Sequence, residues 1–349
     1  MMLDKTENKF RFPAEWEKSG ALLMAVPHKD SDWNYMLDEV LECFFSIVKV
    51  AKDFGNVIIV TPDLSVTGKQ IEKYLGASCS GVVPVEIPTN DTWARDFGPI
   101  TLVDENFESP VLIDYKFNGW GLKFASDKDN LITRGLFEQK VLKGELINRL
   151  GFVLEGGSIE TDGKGTVLTT SSCLLSPNRN GGYTRQEIED RLKADLNARR
   201  VLWLDYGWLE GDDTDSHIDT LARIAPNDTI LYVKSYYPGD KHTAELNKME
   251  QQLSEFRTQE GNPYNLIGLP LPEPIFDEDG NRLPATYANY LVFNEAVLLP
   301  TYNQKENDLL AEQMIRIAYP DHKVIPVDCR PLIKQHGSLH CMTMQLPLQ

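Results

Sequence analysis

No two cysteines of this chain form a CxxC pair: Cys43, Cys79, Cys173, Cys329 and Cys341 are scattered and odd in number. That spacing suggests neither a disulfide framework nor a zinc module, and it fits a reducing compartment. Long apolar runs are lacking as well, and none approaches the roughly 18 residues that would cross a bilayer. Met1 to Phe12 is charged and carries no apolar stretch of the kind a secretion leader needs, so a cytoplasmic location is the expectation. Positive charge is scarce: 35 Lys and Arg stand against 52 Asp and Glu, a formal charge of -17. Phosphates would be repelled, which argues against nucleic acid and anionic membranes and leaves a small cationic partner as the fitting one. A linker rich in Pro, Gly or Ser is also missing. The 349 residues are therefore read as one domain, 1–349, able to form a homo-oligomer.

What is present is ordinary globular material, 42% hydrophobic and 25% charged. Short apolar runs such as Ala21–Val26, Val57–Ile58–Ile59–Val60 and Val201–Leu202–Trp203–Leu204 predict buried strands. Leu37, Leu41, Phe44, Phe45, Val48 and Ala51 mark one face of a helix over 36–53. Thr184 with Glu187 predicts a capping box at a second helix start, and Asp162–Gly163 a hairpin turn. Strand, helix, strand groups recur every 60–70 residues or so. The fold class is α/β.

Polar residues collect at the ends of these strands. Trp93–Ala94–Arg95–Asp96–Phe97–Gly98–Pro99 follows one strand, Glu155–Gly156–Gly157 another, and Gly211 to Asp219 a third. In the last of these, His217 and Asp219 would share a face if the segment is extended. Near the C-terminus His336–Gly337–Ser338–Leu339–His340–Cys341 crowds a single thiol among small residues and histidines, ahead of a strand-like Met342–Gln345 that would fix its direction. Singly, each has a structural explanation: a turn-capping aspartate, a surface glutamate, a core histidine, a buried cysteine. Together they have chemical sense. Guanidinium is planar, charged and rich in donors, so carboxylates bind it bidentately. A thiolate can attack its central carbon while a histidine protonates departing ammonia.

These residues resemble the agmatine deiminase / bacterial-type peptidyl-arginine deiminase family. The likeness runs in order through Glu15–Trp16–Glu17, Asp32–Trp33, Trp93-x-Arg95–Asp96-x-Gly98–Pro99, Phe117–Asn118-x-Trp120–Gly121, Glu155–Gly156–Gly157–Ser158, Pro177–Asn178–Arg179–Asn180, His217-x-Asp219 and His340–Cys341-x-Thr343-x-Gln345. The resemblance implies the pentein fold, a five-bladed α/β propeller of ββαβ units with the site on its axis. It implies Cys341 as nucleophile, His217 as general acid/base, Asp96 and Asp219 as the guanidinium carboxylates, and Glu155 touching both substrate and histidine. Trp93 and Trp120 would line the slot, Asn289 would lie near the nucleophile, and Asp213 would face a distal ammonium. No metal or organic cofactor is implied. Two departures stand out: Ser216 and His336–Gly337–Ser338 replace family glycines. The alternatives to agmatine deimination are peptidyl-arginine deimination, a simple-amide thiol hydrolase, and an inactive polyamine-binding relative.

Overall fold

The computed structural model describes residues 9–347, so residues 1–8 of the charged N-terminal stretch lie outside it. Among the described residues, sixteen strands fall into four three-stranded sheets and a fifth, four-stranded sheet, and all five sheets repeat one pattern. A short strand pairs antiparallel with a central strand, and that central strand pairs parallel with a third. The parallel partners are separated by crossover segments, four of them carrying long helices: Leu37–Ala51, Arg185–Leu196, Thr243–Glu255 and Lys305–Ala318. In the four-stranded sheet the antiparallel partner of Ala21–Ala25 is Met344–Leu346, in the register Ala21↔Leu346. The chain thus closes on itself.

The central strands are buried along nearly their whole length, as in Ala21–Ala25, Val111–Lys116, Thr166–Thr170 and Ala296–Thr301. Strands covered on both faces read as continuous apolar runs, which is why the sequence displayed them. Outer parallel strands are less covered: Lys323–Asp328 buries only Val324 and Val327. The capping box at Thr184 and Glu187 is formed, and the hairpin around Asp162–Gly163 pairs Ile159–Thr161 with Thr166–Thr170. Helix Leu64–Leu75 begins where Asp63 caps it by accepting from the amides of Ser65 and Val66. Strands Ile100–Leu102, Ala222–Ala225 and Asn265–Pro270 were not anticipated; two of them are too short for alternation to register. Among the described residues no helix is long and apolar enough to cross a membrane.

Two local expectations are corrected. His217 and Asp219 do not share a strand face: Ile218–Thr220 is a 3-10 turn, with Thr220 N donating to His217 O. Met342 is not yet strand either, since the closing strand begins at Met344 and Cys341 sits in the turn before it.

Candidate active site

Five of the candidate residues stand at the five handovers from one sheet to the next, two to four residues ahead of the antiparallel strand that opens the new sheet. Asp96 precedes Ile100–Leu102, Glu155 precedes Ile159–Thr161, Asp219 precedes Ala222–Ala225, Asn289 precedes Leu291–Phe293, and Cys341 precedes Met344–Leu346. Strand ends hold loops rigidly at one side of a sheet, the common place for reactive groups.

The handovers bring these side chains together. Cys341 Sγ lies 3.3 Å from Asn289 Oδ1 and 3.8 Å from Asp219 Oδ2. Asp96 Oδ1 accepts from the Gly157 amide at 3.0 Å and stands 3.6 Å from His217 Nδ1. Asp96 Oδ2 accepts from Trp120 Nε1 at 2.9 Å. Among the described residues, none hydrogen-bonds to either buried ring nitrogen of His217 or to the buried Asp219 Oδ1. Gly157 packs into their midst: a Cβ there would come within 2.7 Å of His217 Nδ1 and 2.8 Å of Asp96 Oδ1. Gly157→Ala is therefore expected to lower kcat by about 100-fold, the scale of a 1 Å misplacement. Wild-type kcat in that variant, with melting temperature checked in parallel, would show the contact to be inconsequential.

A cavity of about 180 Å³ opens onto Cys341 and Asp96. Trp93, Trp120 and Phe124 supply its aromatic walls. Trp93 is backed by Trp33, ring centres 5.7 Å apart, and Gly337 lies flat on it, where a Cβ would meet the ring at 2.3 Å. Trp120 holds φ +55, rare for a bulky residue, and its indole reaches Asp96 from that conformation. Four acids face the cavity: Asp96, Asp213, and two not singled out from the sequence, Asp32 and Asp91. Among the described residues no lysine or arginine lines it. Lys123, a nearby cation, is tied instead to Asp213 O at 2.6 Å and Asp215 Oδ1 at 2.7 Å.

The electrostatics follow from this crowding. Burial pushes Asp96 up to about 6, against the pull of His217, and pushes Asp91 up to about 6 as well. Burial together with the charges of Asp219 and Asp96 drives the Cys341 thiol well above its usual range. Burial alone would lower the His217 imidazole, but Asp96, Cys173 and Glu155 outweigh it and the ring is held well above its usual range.

Glu155 does not line the cavity. Both of its oxygens accept from Arg179 Nε, at 2.8 and 3.1 Å, and Arg179 also reaches Asp215 and Thr214 O. Arg179 is a functional residue the sequence did not assign, although Pro177–Asn178–Arg179–Asn180 belonged to the family pattern. Two clusters bring three metal-ligand atoms within 4.8 Å of one another: Glu155, Cys173 and His217, and Glu15, Glu160 and His340. In each, an arginine already engages the carboxylates, Arg179 in the first and Arg223 in the second.

The sequence pattern of the Porphyromonas-type peptidyl-arginine deiminase family matches residues 11–347. The chain belongs to this family. A curated protein of Vibrio parahaemolyticus, provisionally named an agmatine deiminase, is 32% identical over 98% of both chains. A structure from Porphyromonas gingivalis, provisionally named an arginine deiminase, is 48% identical over 97% of this chain and 98% of its own, at TM-score 0.90. A cysteine-to-serine agmatine deiminase of C. jejuni, with substrate bound, is 36% identical over 97% of both chains, at TM-score 0.88. A dimethylarginine dimethylaminohydrolase, 13% identical at TM-score 0.51, shares the fold and makes it pentein-like. Within the family, the two departures acquire a physical meaning. Ser216 and His336 both hold φ +65, the left-handed region where glycine is unstrained and other residues lose about 1 kcal/mol or more. Each loop is pinned locally: Ser216 N donates to Asp212 Oδ2 and His336 Nδ1 faces Gly211 O, both at 2.7 Å.

Proposed function

We propose that this deiminase-family chain hydrolyses agmatine to N-carbamoylputrescine and ammonia, working as one catalytic unit over 1–349. The observation that carries the reading is the cavity itself, which among the described residues meets Cys341 with four acids and no lysine or arginine. The five repeated sheets are inferred to be the five blades of a pentein propeller. Their closure through Met344–Leu346 and the candidate residue at every handover support that arrangement.

In this reading the guanidinium enters between Asp96 and Asp219. Its charge removes the repulsion that holds the thiol protonated, and Cys341 releases its proton to solvent, His217 already being protonated. The thiolate attacks the central carbon, and the tetrahedral adduct collapses as His217 protonates the departing nitrogen, which leaves as ammonia. Neutral His217 then takes a proton from water, which adds to the thiouronium carbon. The C–S bond breaks, the carbamoyl oxygen remains with the product, and the thiol is restored. Glu155, fixed by Arg179, keeps the imidazolium partnered by charge. Holding a reactive pair in this geometry accounts for several kcal/mol of barrier.

Deimination of arginine is the second reading, supported by the 48% identical structure from P. gingivalis. Free arginine brings a carboxylate, and burying that charge unpaired among Asp32, Asp91 and Asp213 is costly. Ammonia release from agmatine, free arginine and a blocked arginine peptide, assayed side by side, separates the readings. Agmatine is expected to lead in kcat/KM. Asp213, raised by burial and by Asp212 against His336 and Lys123, lines the cavity and in this reading faces the distal ammonium. Asp213→Asn is expected to raise KM for agmatine about tenfold with little change in kcat. Equal efficiency on the peptide would sink the agmatine assignment and leave the deiminase chemistry standing.

A further inference from the structure

His340, the neighbour of the candidate nucleophile, takes no part in the chemistry above, yet it is buried at 2% exposure. Its Nδ1 lies 2.8 Å from Asp219 Oδ2 and its Nε2 lies 2.6 Å from Glu15 Oε1. A ring protonated at both nitrogens satisfies both carboxylates. Glu15 is in turn gripped by Arg223, by Arg95 Nη2 at 3.3 Å and by Gln345 Nε2 at 2.5 Å. Arg223 is held from its other side by Glu160 at 2.5 Å. Arg95, Arg223 and Gln345 belong to three different sheets or their handovers, so the anchor joins distant parts of the chain. Glu15, His340 and Gln345 all belong to the sequence pattern, and the reaction explains none of them.

We propose that His340, clamped by Glu15, is a positioning residue for Asp219. It occupies Oδ2 and so leaves Oδ1, buried and unpartnered, as the ionised oxygen offered to the guanidinium. The inference rests on the reading of Asp219 as a guanidinium carboxylate. It accounts for a feature that reading leaves open: Asp219 and Asp96 are buried in the same site, yet they differ in charge preference. Burial would raise Asp219, but the hydrogen bond and charge of His340, with the charges of His217 and Arg223, hold it below the usual carboxylate range. Arg95 acts in the same direction, whereas Asp96 and Cys341 face Asp219 with the opposite sign or none. Asp96 has no such anchor and sits at about 6.

Without His340, Asp219 rises and takes up its proton at a higher pH than in the wild type, so the loss of binding should grow as pH falls and shrink as pH rises. Agmatine affinity, measured by calorimetry in a Cys341→Ser background where nothing turns over, reads this directly at pH 6, 7 and 9. His340→Ala is expected to weaken binding on the order of 10- to 100-fold at pH 7, the range seen when an outer partner of a ligating group is removed. The deficit should be larger at pH 6 and smaller at pH 9. His340→Asn, which keeps a neutral donor near the place of Nδ1, should recover part of it. Added to Asp219→Asn, neither substitution should weaken binding further.

A deficit equal at all three pH values, or one that multiplies the Asp219→Asn deficit, would mark His340 as merely structural and overturn the inference. So would full binding in His340→Ala beside lost binding in Asp219→Asn. Wild-type binding in Asp219→Asn would instead remove the guanidinium assignment, and the inference with it. Should His340→Ala melt below the assay temperature, His340→Asn carries the same comparison: an intermediate deficit with the same pH trend supports the role, and none overturns it.

Discussion

Cys341→Ser is expected to lower ammonia release from agmatine by about 10⁴-fold or more, as removal of a catalytic nucleophile does, with the melting temperature little changed. The serine hydroxyl fills the same place beside Asn289 and Asp219, so packing survives while the sulfur's nucleophilicity is gone. A companion experiment uses the electrostatics. Because burial and two carboxylates hold the free thiol protonated, iodoacetamide should react slowly with Cys341. A haloacetamidine brings its own cation into the cavity and should label it fast, sparing Cys43, Cys173 and Cys329, which are buried away from it, and the exposed Cys79. Substantial turnover in Cys341→Ser, or amidine labelling spread evenly over the cysteines, would contradict the mechanism.

Asp96→Asn carries the second large effect. The amide keeps the shape and the contacts to Gly157 and Trp120 in part, but it leaves a desolvated guanidinium short of a counter-ion. Breaking such a buried pair costs about 3–5 kcal/mol, or roughly a few hundred-fold and upward in kcat/KM. The pH profile adds a signature. In the free protein Asp96 sits at about 6, so below that pH it is protonated and cannot grip a cation. Wild-type kcat/KM should therefore fall as pH drops through about 6, and that limb should vanish in Asp96→Asn. A variant with wild-type efficiency, or one that keeps the limb unchanged, would take Asp96 out of the site.

The residues that the sequence made legible are those whose neighbours carry the message. Asp96 and Glu155 stand near glycines at strand ends, His217 stands among acids in the loop that follows another strand, and Ala21–Ala25 or Ala296–Thr301 announce themselves as apolar runs. Arg179 and Glu15 were visible only as letters in a pattern, because their partners Glu155 and Arg223 lie 24 and 208 residues away. Asp32 and Asp91 gave no local sign, since an acid in a turn looks the same whether it faces solvent or a cavity. His217 and Asp219 were expected together for the wrong reason: a 3-10 turn, set by Thr220 N bonding back to His217 O, replaces strand alternation. The five sheets were hidden by their short members, since a three-residue strand such as Ile100–Leu102 shows no period.

The pairing of Met344–Leu346 with Ala21–Ala25 also has a kinetic meaning. Cys341 stands three residues ahead of that strand, so the thiol reaches its station only when segments some 320 residues apart have met. Closing so long a loop adds only slowly growing entropy, about 0.6 kcal/mol per doubling of length, yet contacts of such separation form late and slow the search. During synthesis the carboxylates and the histidine emerge first, while the nucleophile is added near the end of the described chain. Under the proposed mechanism, reactivity toward guanidinium becomes available only when these two ends of the chain pair, and a half-made chain carries the carboxylates without the thiol.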